Sequence, residues 1–436
     1  MPKKRSNGDG ALYYVASRKL WKGVIDVGFG PDGKRKQRSV TSRTQVGARE
    51  KLDALRDEIK EHGAPLDKQT SVETWAWRWL REVCQPRMKP NGLAAYESIV
   101  RAWIVPVLGH RRVATLKPSD VRAVSQAIIA AGRSPSTALK AYNVLSGLIE
   151  EARREGMIAK NVAKDVDAPS AAPIERRALT HDEAMVILRT SAAELDGTRW
   201  WMAILEGLRQ SERTGAQIAD LDLDKGVYHV RWTLDEIASE HGCGEPDAGR
   251  WPCGKKQGAA CPQARLKVPL GFKYRHLKGR LCLVPPKSGR ARTVPLVPPL
   301  VEALRRYLVV TGDRPNPYGL IWRNEDGSPI LAADDEQAWR DVMQRGGLIT
   351  ADQALAPRHR EEEAIDVPTS HTARHTTVTV LIELGVPLKV IGEIVGHQAE
   401  RTTEGYHHVS SAAAVEAMAG VGARFAEALE LPAIAS

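Results

Sequence analysis

Cysteine and long apolar runs are both scarce in this sequence of 436 residues. Five cysteines cannot staple a chain of that length, and with no secretion-like leader they point to a reducing compartment rather than a disulfide scaffold. No stretch approaches the roughly 20 apolar residues that a spanning helix needs. Met1 to Gly10 is basic and polar with no apolar run behind it, so neither a signal peptide nor a membrane segment is expected. No unit recurs at a fixed period, which excludes a solenoid. What remains is 42% hydrophobic and 27% charged, the balance of a globular chain with real cores, and its length suits two to four domains.

The net charge of +10 is unevenly placed. Residues 1–60 hold 15 Lys and Arg against 7 Asp and Glu, so most of the excess lies in the first seventh of the chain. Such a module suits a polyanion, whose phosphates reward basic charge through counterion release. A solvated basic tail would carry the same charge, but this segment is patterned. Residues 11–15 and 20–27 read as strands with Tyr13, Tyr14, Trp21, Val24 and Ile25, Pro31-Asp32-Gly33 as a turn, and residues 36–40 as a third strand. A helix follows over 44–61, with Ala48, Leu52, Leu55 and Ile59 at helical spacing. A three-stranded sheet with one helix can read a DNA groove. Its candidate contacts are Lys3, Lys4, Arg5, Arg18, Lys19, Lys22, Lys34, Arg35, Lys36 and Arg38.

The fold class expected is α+β and multidomain. After the basic module (1–65), residues 70–167 read as a helical domain of four or five helices, started at Pro118-Ser119-Asp120 and Ser134-Pro135-Ser136. Residues 168–180 form a linker. Residues 181–410 form a mixed, mainly α domain, with strands near 227–234, 281–284 and 292–296 and an insertion at 235–280. An Ala-rich helix and tail occupy 411–436; its apolar residues Val415, Met418, Val421 and Phe425 can pack on their own domain or on a neighbouring copy.

Three separated segments of the larger domain supply groups suited to cleaving a phosphodiester through a side-chain nucleophile. That chemistry needs a hydroxyl, cations on the non-bridging oxygens and a proton donor for the leaving oxygen. Gly207-Leu208-Arg209-Gln210-Ser211-Glu212 sets a guanidinium three residues from a carboxylate, a spacing that shares one helical face. Alone, that is usually a surface ion pair. Pro286-Lys287-Ser288-Gly289 places a lysine on a tight turn, and alone that is usually a solvated hairpin. The third segment is the most specific: Ser370-His371-Thr372-Ala373-Arg374, then Val395-Gly396-His397, then Gly405-Tyr406-His407-His408, four polar groups and fixed glycines in fewer than 40 residues.

At these positions the sequence resembles the tyrosine recombinase family, in its phage integrase type with an arm-binding domain. The third segment is similar to that family's His-x-x-Arg, Leu-Gly-His and terminal Tyr boxes, the first to its Gly-Leu-Arg-x-x-Glu box, and the second to its hairpin Lys box ending in Val294-Pro295-Leu296. The resemblance implies that Tyr406 attacks the scissile phosphate to form a 3′-phosphotyrosine and that Arg209 and Arg374 clamp its oxygens. Lys287 would protonate the departing 5′ oxygen, His371 take the tyrosine proton, His397 bond the phosphate and Glu212 orient Arg209. It implies a site-specific recombinase that integrates phage DNA into a host chromosome, with no cofactor for catalysis. Its partners would be double-stranded DNA at core-type and arm-type sites, three further copies in a homotetramer, and, as candidates, a host DNA-bending factor and a directionality factor, all in the bacterial cytoplasm. A resolvase, an invertase or a type IB topoisomerase would use the same chemistry, and a non-catalytic DNA-binding regulator is the reading from another class. Two departures stand out. Arg213 to Ile218 lacks the apolar Leu-x-Leu pattern of many relatives, and Val395 replaces a usual Leu.

The insertion holds His241-Gly242-Cys243-Gly244, Trp251-Pro252-Cys253-Gly254 and Ala260-Cys261-Pro262. Three Cys and one His beside Gly or Pro suit tight knuckles around a tetrahedral structural Zn²⁺, with His276 and Cys282 as substitutes for His241. A flexible loop with free thiols is the bland alternative.

Overall fold

A computed structural model describes residues 11–29, 35–62, 69–170, 177–246, 250–287, 289–355, 367–396 and 411–429. These fall into two compact units, Met1–Pro173 with Val268–Leu270, and the remainder. The protein is α+β and multidomain. Among the described residues no helix is long and apolar enough to cross a membrane.

In the first unit, strands β1 (Ala11–Val15), β2 (Leu20–Phe29) and β3 (Arg35–Ser42) form an antiparallel sheet in that order, and helix α1 (Gln45–His62) packs on it. The period-2 alternation of strands decides the faces. Ile25, Val40, Leu52 and Leu55 make a small core between sheet and helix. The opposite face carries a row in which Tyr13 pairs with Lys22 and Lys22 with Thr41. Arg38 pairs with Ile25, which places it on the side covered by α1.

The same unit contains α2 (Val72–Trp79), α3 (Pro90–Ile99), α4 (Val105–Leu108), α5 (Pro118–Ala130) and α6 (Pro135–Arg154). Proline opens α3, α5 and α6, where its missing N–H costs nothing. The helices share one core built on Trp75, Trp79, Leu145 and Leu148, and the Trp75 indole donates to the Leu148 carbonyl at 3.0 Å. Cys84 is buried in that core.

The second unit begins with α7 (His181–Ala192), α8 (Thr198–Ile204) and α9 (Gln210–Thr214). The helical run is broken around Asp196-Gly197 and again before Gln210. Strands β4 (Leu221–Asp222), β5 (Val227–Val230), β6 (Thr233–Glu236), β7 (Ser239–Glu240), β8 (Arg265–Leu266), β9 (Arg275–Lys278), β10 (Leu281–Val284) and β11 (Arg292–Pro295) follow. The single strand expected at 227–234 is two, because β5 joins a β11-β5-β4 sheet and β6 a β6-β10-β9 sheet. Helices α10 (Pro298–Val310), α11 (Ala332–Arg345), α12 (Ala351–Leu355), α13 (Ser370–Glu383), α14 (Leu388–Val395) and α15 (Ser411–Arg424) complete the unit.

Its core gathers Trp200, Trp201, Trp322 and Trp339 with apolar residues of α7, α8, α10, α13 and α14. Met418, Val421 and Phe425 of the terminal segment belong to that core, while Val415 stays 53% exposed. Of the two partners left open for this helix, its own domain covers the apolar face.

The missing Leu-x-Leu pattern has a physical counterpart. Arg213 is fully buried and pairs with buried Asp335 at 2.6 Å, Arg199 approaches the same carboxylate at 3.3 Å, and both guanidiniums lie over the Trp200 ring. A buried charge needs such a partner, and Asp335 on α11 supplies it for both.

Candidate active site

Arg209 caps the N-terminus of α9 in an extended conformation rather than lying on the helix. Glu212, in the first turn, accepts the Arg209 backbone N–H at 3.0 Å and its guanidinium at 2.6 Å. The pair seen in the sequence thus forms through a helix cap, where a carboxylate also meets the favourable end of the helix dipole. Glu212 is buried, and Arg292 on β11 binds it with two further bonds of 2.8 and 2.7 Å. Burial pushes the Glu212 pKa up, but bonding and charge from Arg292, then Arg209, outweigh it and hold the value at about 2.

Three guanidiniums converge on one helix end. The last carbonyls of a helix have no partner within it. At the end of α14, Arg292 donates to the Ile394 carbonyl at 2.9 Å, Arg374 to the Val395 carbonyl and Arg209 to the Gly396 carbonyl at 2.8 Å. Gly396 caps this helix at φ +70°, and a Cβ there would stand 2.9 Å from the Arg292 Nη1. Glycine meets both the left-handed backbone and the close approach. Arg374 also donates to the Gly207 carbonyl at 2.6 Å. Its burial, and then the like charge of Arg209, push its pKa down to about 9, which leaves it charged at neutral pH.

Three cations around one carboxylate leave a net positive site. His371 and Arg374 both lie on α13, but Arg374 points into the protein while His371 is exposed. His371 lines a cleft of about 470 Å³ together with Arg209, Ser211, Ser370, Glu336 and Arg340. The His375 ring meets His371 edge-on at 5.0 Å. An anionic group entering this cleft meets Arg209 on one wall and an imidazole on another.

The structure thus gathers Arg209, Glu212 and Arg374, with His371 in the adjoining cleft. Lys287 is exposed on the turn between β10 and β11, the strand that carries Arg292. His397 and Tyr406 lie outside the described residues, as do Lys3, Lys4, Arg5 and Lys34. Arg18 and Lys19 are exposed on the turn after β1, Lys22 is on β2, and Arg35, Lys36 and Arg38 are on β3. His241, Cys243, Cys253 and Cys261 come together in the insertion, their ligand atoms within 4.8 Å of one another. His276 bonds the Gly279 carbonyl and Cys282 is buried in β10, so neither joins them.

Arg292 is the site residue that the sequence reading passed over. Its signal was present: Arg292 and Val294 share a face of β11 by period 2, and Val294 is fully buried. An arginine on an inward face must find acceptors for its donors, and here Glu212 supplies two of them.

Residues 270–413 match the phage integrase family, and residues 71–128 match the N-terminal SAM-like domain of phage integrases. An integrase of Saccharopolyspora erythraea is 24% identical, the match covering 93% of this chain and 95% of that protein. An integrase of Streptomyces ambofaciens is 25% identical over 93% of each. The fold is similar to that of the Tn1549 transposon integrase solved with a circular intermediate DNA, at a TM-score of 0.55 and 18% identity, covering 76% of this chain and 92% of that one.

Proposed function

Because this chain belongs to the tyrosine recombinase family of DNA-cleaving and rejoining enzymes, in its phage integrase type, we propose that it is a site-specific recombinase that integrates phage DNA into a host chromosome through a 3′-phosphotyrosine intermediate. The observation that carries this reading is the convergence of Arg209, Arg292 and Arg374 on the end of α14. The chain leaving that end leads directly to His397 and then to Tyr406.

In this reading the Tyr406 hydroxyl attacks phosphorus and the bond to the 5′ oxygen breaks. His371 takes the tyrosine proton, which at a free pKa near 10 does not leave readily at neutral pH. Lys287 gives a proton to the departing 5′ oxygen. Arg209 and Arg374 neutralise the non-bridging oxygens as charge builds, His397 adds a hydrogen bond, and Glu212 holds Arg209. The 5′-hydroxyl of a partner strand then attacks the phosphotyrosine, so the bond energy is conserved and no cofactor is consumed. The partners are double-stranded DNA at core-type and arm-type sites and, on DNA, three further copies of the chain. The solved Tn1549 transposon integrase, similar in fold and bound to a circular intermediate DNA, supports the DNA partner. A host bending factor and a directionality factor complete the proposal, which places the reaction in the bacterial cytoplasm.

The test is a nicked suicide duplex carrying the attachment core. Wild-type protein should form a covalent adduct that survives denaturation, and Tyr406→Phe should form none. An adduct of undiminished yield with Tyr406→Phe would overturn the nucleophile, and no adduct with wild type would favour a DNA-binding regulator.

A further inference from the structure

The insertion between β6 and β10 lacks the usual means of holding a fold. Among the described residues, none from 238 to 276 belongs to a hydrophobic core cluster. The β7–β8 ladder has only two residue pairs. Residues 241–280 carry nine Lys and Arg against two Asp and Glu, so self-repulsion adds to the deficit. Yet His241 and Cys261 are buried there. A segment this short on apolar contacts needs another source of stability, and a metal is the common one.

The cluster has the dimensions of a metal site. His241 Nδ1 lies 3.3 Å from Cys253 Sγ and 3.8 Å from Cys243 Sγ. Bonds of about 2.3 Å to sulfur and about 2.0 Å to nitrogen place tetrahedral ligand atoms roughly 3.6 Å apart. A disulfide would unite two of these sulfurs and leave the third thiol and the imidazole without a reason to converge; all are free cysteines. The backbone is also arranged for thiolates. Cys261 Sγ accepts the N–H groups of Gln263 and Gly242, and Cys243 Sγ accepts the N–H of Cys253. The Trp251 ring stacks on His241 with centroids 4.1 Å apart and planes within 6°, which holds the plane of the imidazole, and Nδ1 faces the sulfurs.

We propose that His241, through Nδ1, and Cys243, Cys253 and Cys261 bind one Zn²⁺ that stands in for a hydrophobic core in the insertion. Three thiolates and one imidazole suit zinc over the hard cations, which take oxygen. Four protein ligands close the coordination sphere, so the metal has a structural role and no part in strand transfer.

The full chain, purified without chelators under reducing conditions, should hold about one equivalent of zinc by plasma mass spectrometry. Co²⁺ added to zinc-stripped protein should give a thiolate charge-transfer band and the intense visible bands of a tetrahedral site. Stripping the zinc should speed tryptic cleavage at Lys255, Lys256 and Arg265 by about tenfold or more, as binding energy is lost from the fold. Cys253→Ser should lose the metal, and Cys84→Ser and Cys282→Ser should keep it. Because Cys253→Ser can fail to fold, the wild-type measurements decide. Under about 0.2 equivalents of zinc together with no cobalt spectrum, or a disulfide between two of the three cysteines in reduced preparations, would overturn the proposal.

Discussion

Glu212 grips Arg292 with both carboxylate oxygens, although 80 residues separate them. The same carboxylate holds Arg209 from its own helix cap. One buried anion therefore fastens two cations from different segments, and both guanidiniums reach on to the end of α14. That end is where the chain departs toward His397 and Tyr406. The carboxylate sets where the cations sit, and in the proposed chemistry the cations do the work.

Replacing that anion tests the arrangement. Glu212→Gln keeps the shape but leaves three cations with no counter-charge, and removing one partner of a buried pair costs about 3–5 kcal/mol. Formation of the covalent adduct should slow by about 10²–10³-fold, as when a key electrostatic group is lost, while affinity for duplex DNA changes little. Single-turnover cleavage and urea unfolding measure the two effects. Cleavage within twofold of wild type would separate Glu212 from the chemistry.

A second carboxylate gives the unit an opposite pH response. Glu206 is buried with one oxygen accepting the Val297 N–H at 3.0 Å, and burial pushes its pKa up to about 8, a shift the Val297 bond only tempers. The folded state then keeps a proton that the unfolded chain, with its ordinary value of 4.5, releases. Stability should accordingly fall as pH rises from 4.5 to about 8, by roughly 1 kcal/mol per pH unit. Glu212 acts the other way: its stabilisation is present above 4.5 and is lost as pH falls toward about 2. Glu206→Gln should flatten the decline between pH 5 and pH 8 (roughly the titration window), read by urea unfolding at each pH. An unchanged slope would assign the decline to other groups.

The unequal legibility of this chain has a physical basis. Boxes spaced along the sequence single out side chains of distinctive chemistry, and three that the fold gathers were readable there: Arg209, His371 and Arg374. What holds them was not. Arg292 meets Glu212 only after β11 pairs with β5 and sets its inward face. The carbonyls of Ile394, Val395 and Gly396 are invisible as side-chain signals. The pairing of Arg213 and Arg199 with Asp335 spans more than 120 residues, so the sequence displayed only a missing apolar pattern. Periodicity found α1 and the terminal helix. It could not divide 227–234 into two strands, since only pairing with β11 and β10 does that.

Gly396 can be separated into its two requirements. Gly396→Ala imposes left-handed strain of about 1–2 kcal/mol and also pushes a Cβ against Arg292. Gly385→Ala is the control, since Gly385 has φ +73° and nothing within 4 Å of a built Cβ. Both variants should lose similar backbone stability, but only Gly396→Ala should slow cleavage, by about tenfold or more as the donors move from their geometry. Equal cleavage rates would remove the close approach from the account.

Asp335→Asn should strongly destabilise the second unit. It leaves Arg213 and Arg199 buried over Trp200 without a counter-charge, at a cost of about 3–5 kcal/mol. Thermal and urea unfolding should register that loss. A change below about 1 kcal/mol, the scale of an exposed pair, would mean that the network relaxes to water.

The sheet of the first unit offers a test of the proposed DNA contacts. Lys22 stands between Tyr13 and Thr41 on the face away from α1, whereas Arg38 pairs with Ile25 on the covered side. A lysine that neutralises one phosphate adds about one unit to the slope of log affinity against log salt. Lys22→Ala should reduce that slope by about one on arm-type DNA, with an unchanged unfolding midpoint. Arg38→Ala should leave the slope intact and lower the midpoint. The reverse pattern would put the DNA on the helix side of the sheet, and since α1 fills that side through Leu52 and Leu55, it would require the helix to leave the sheet on binding.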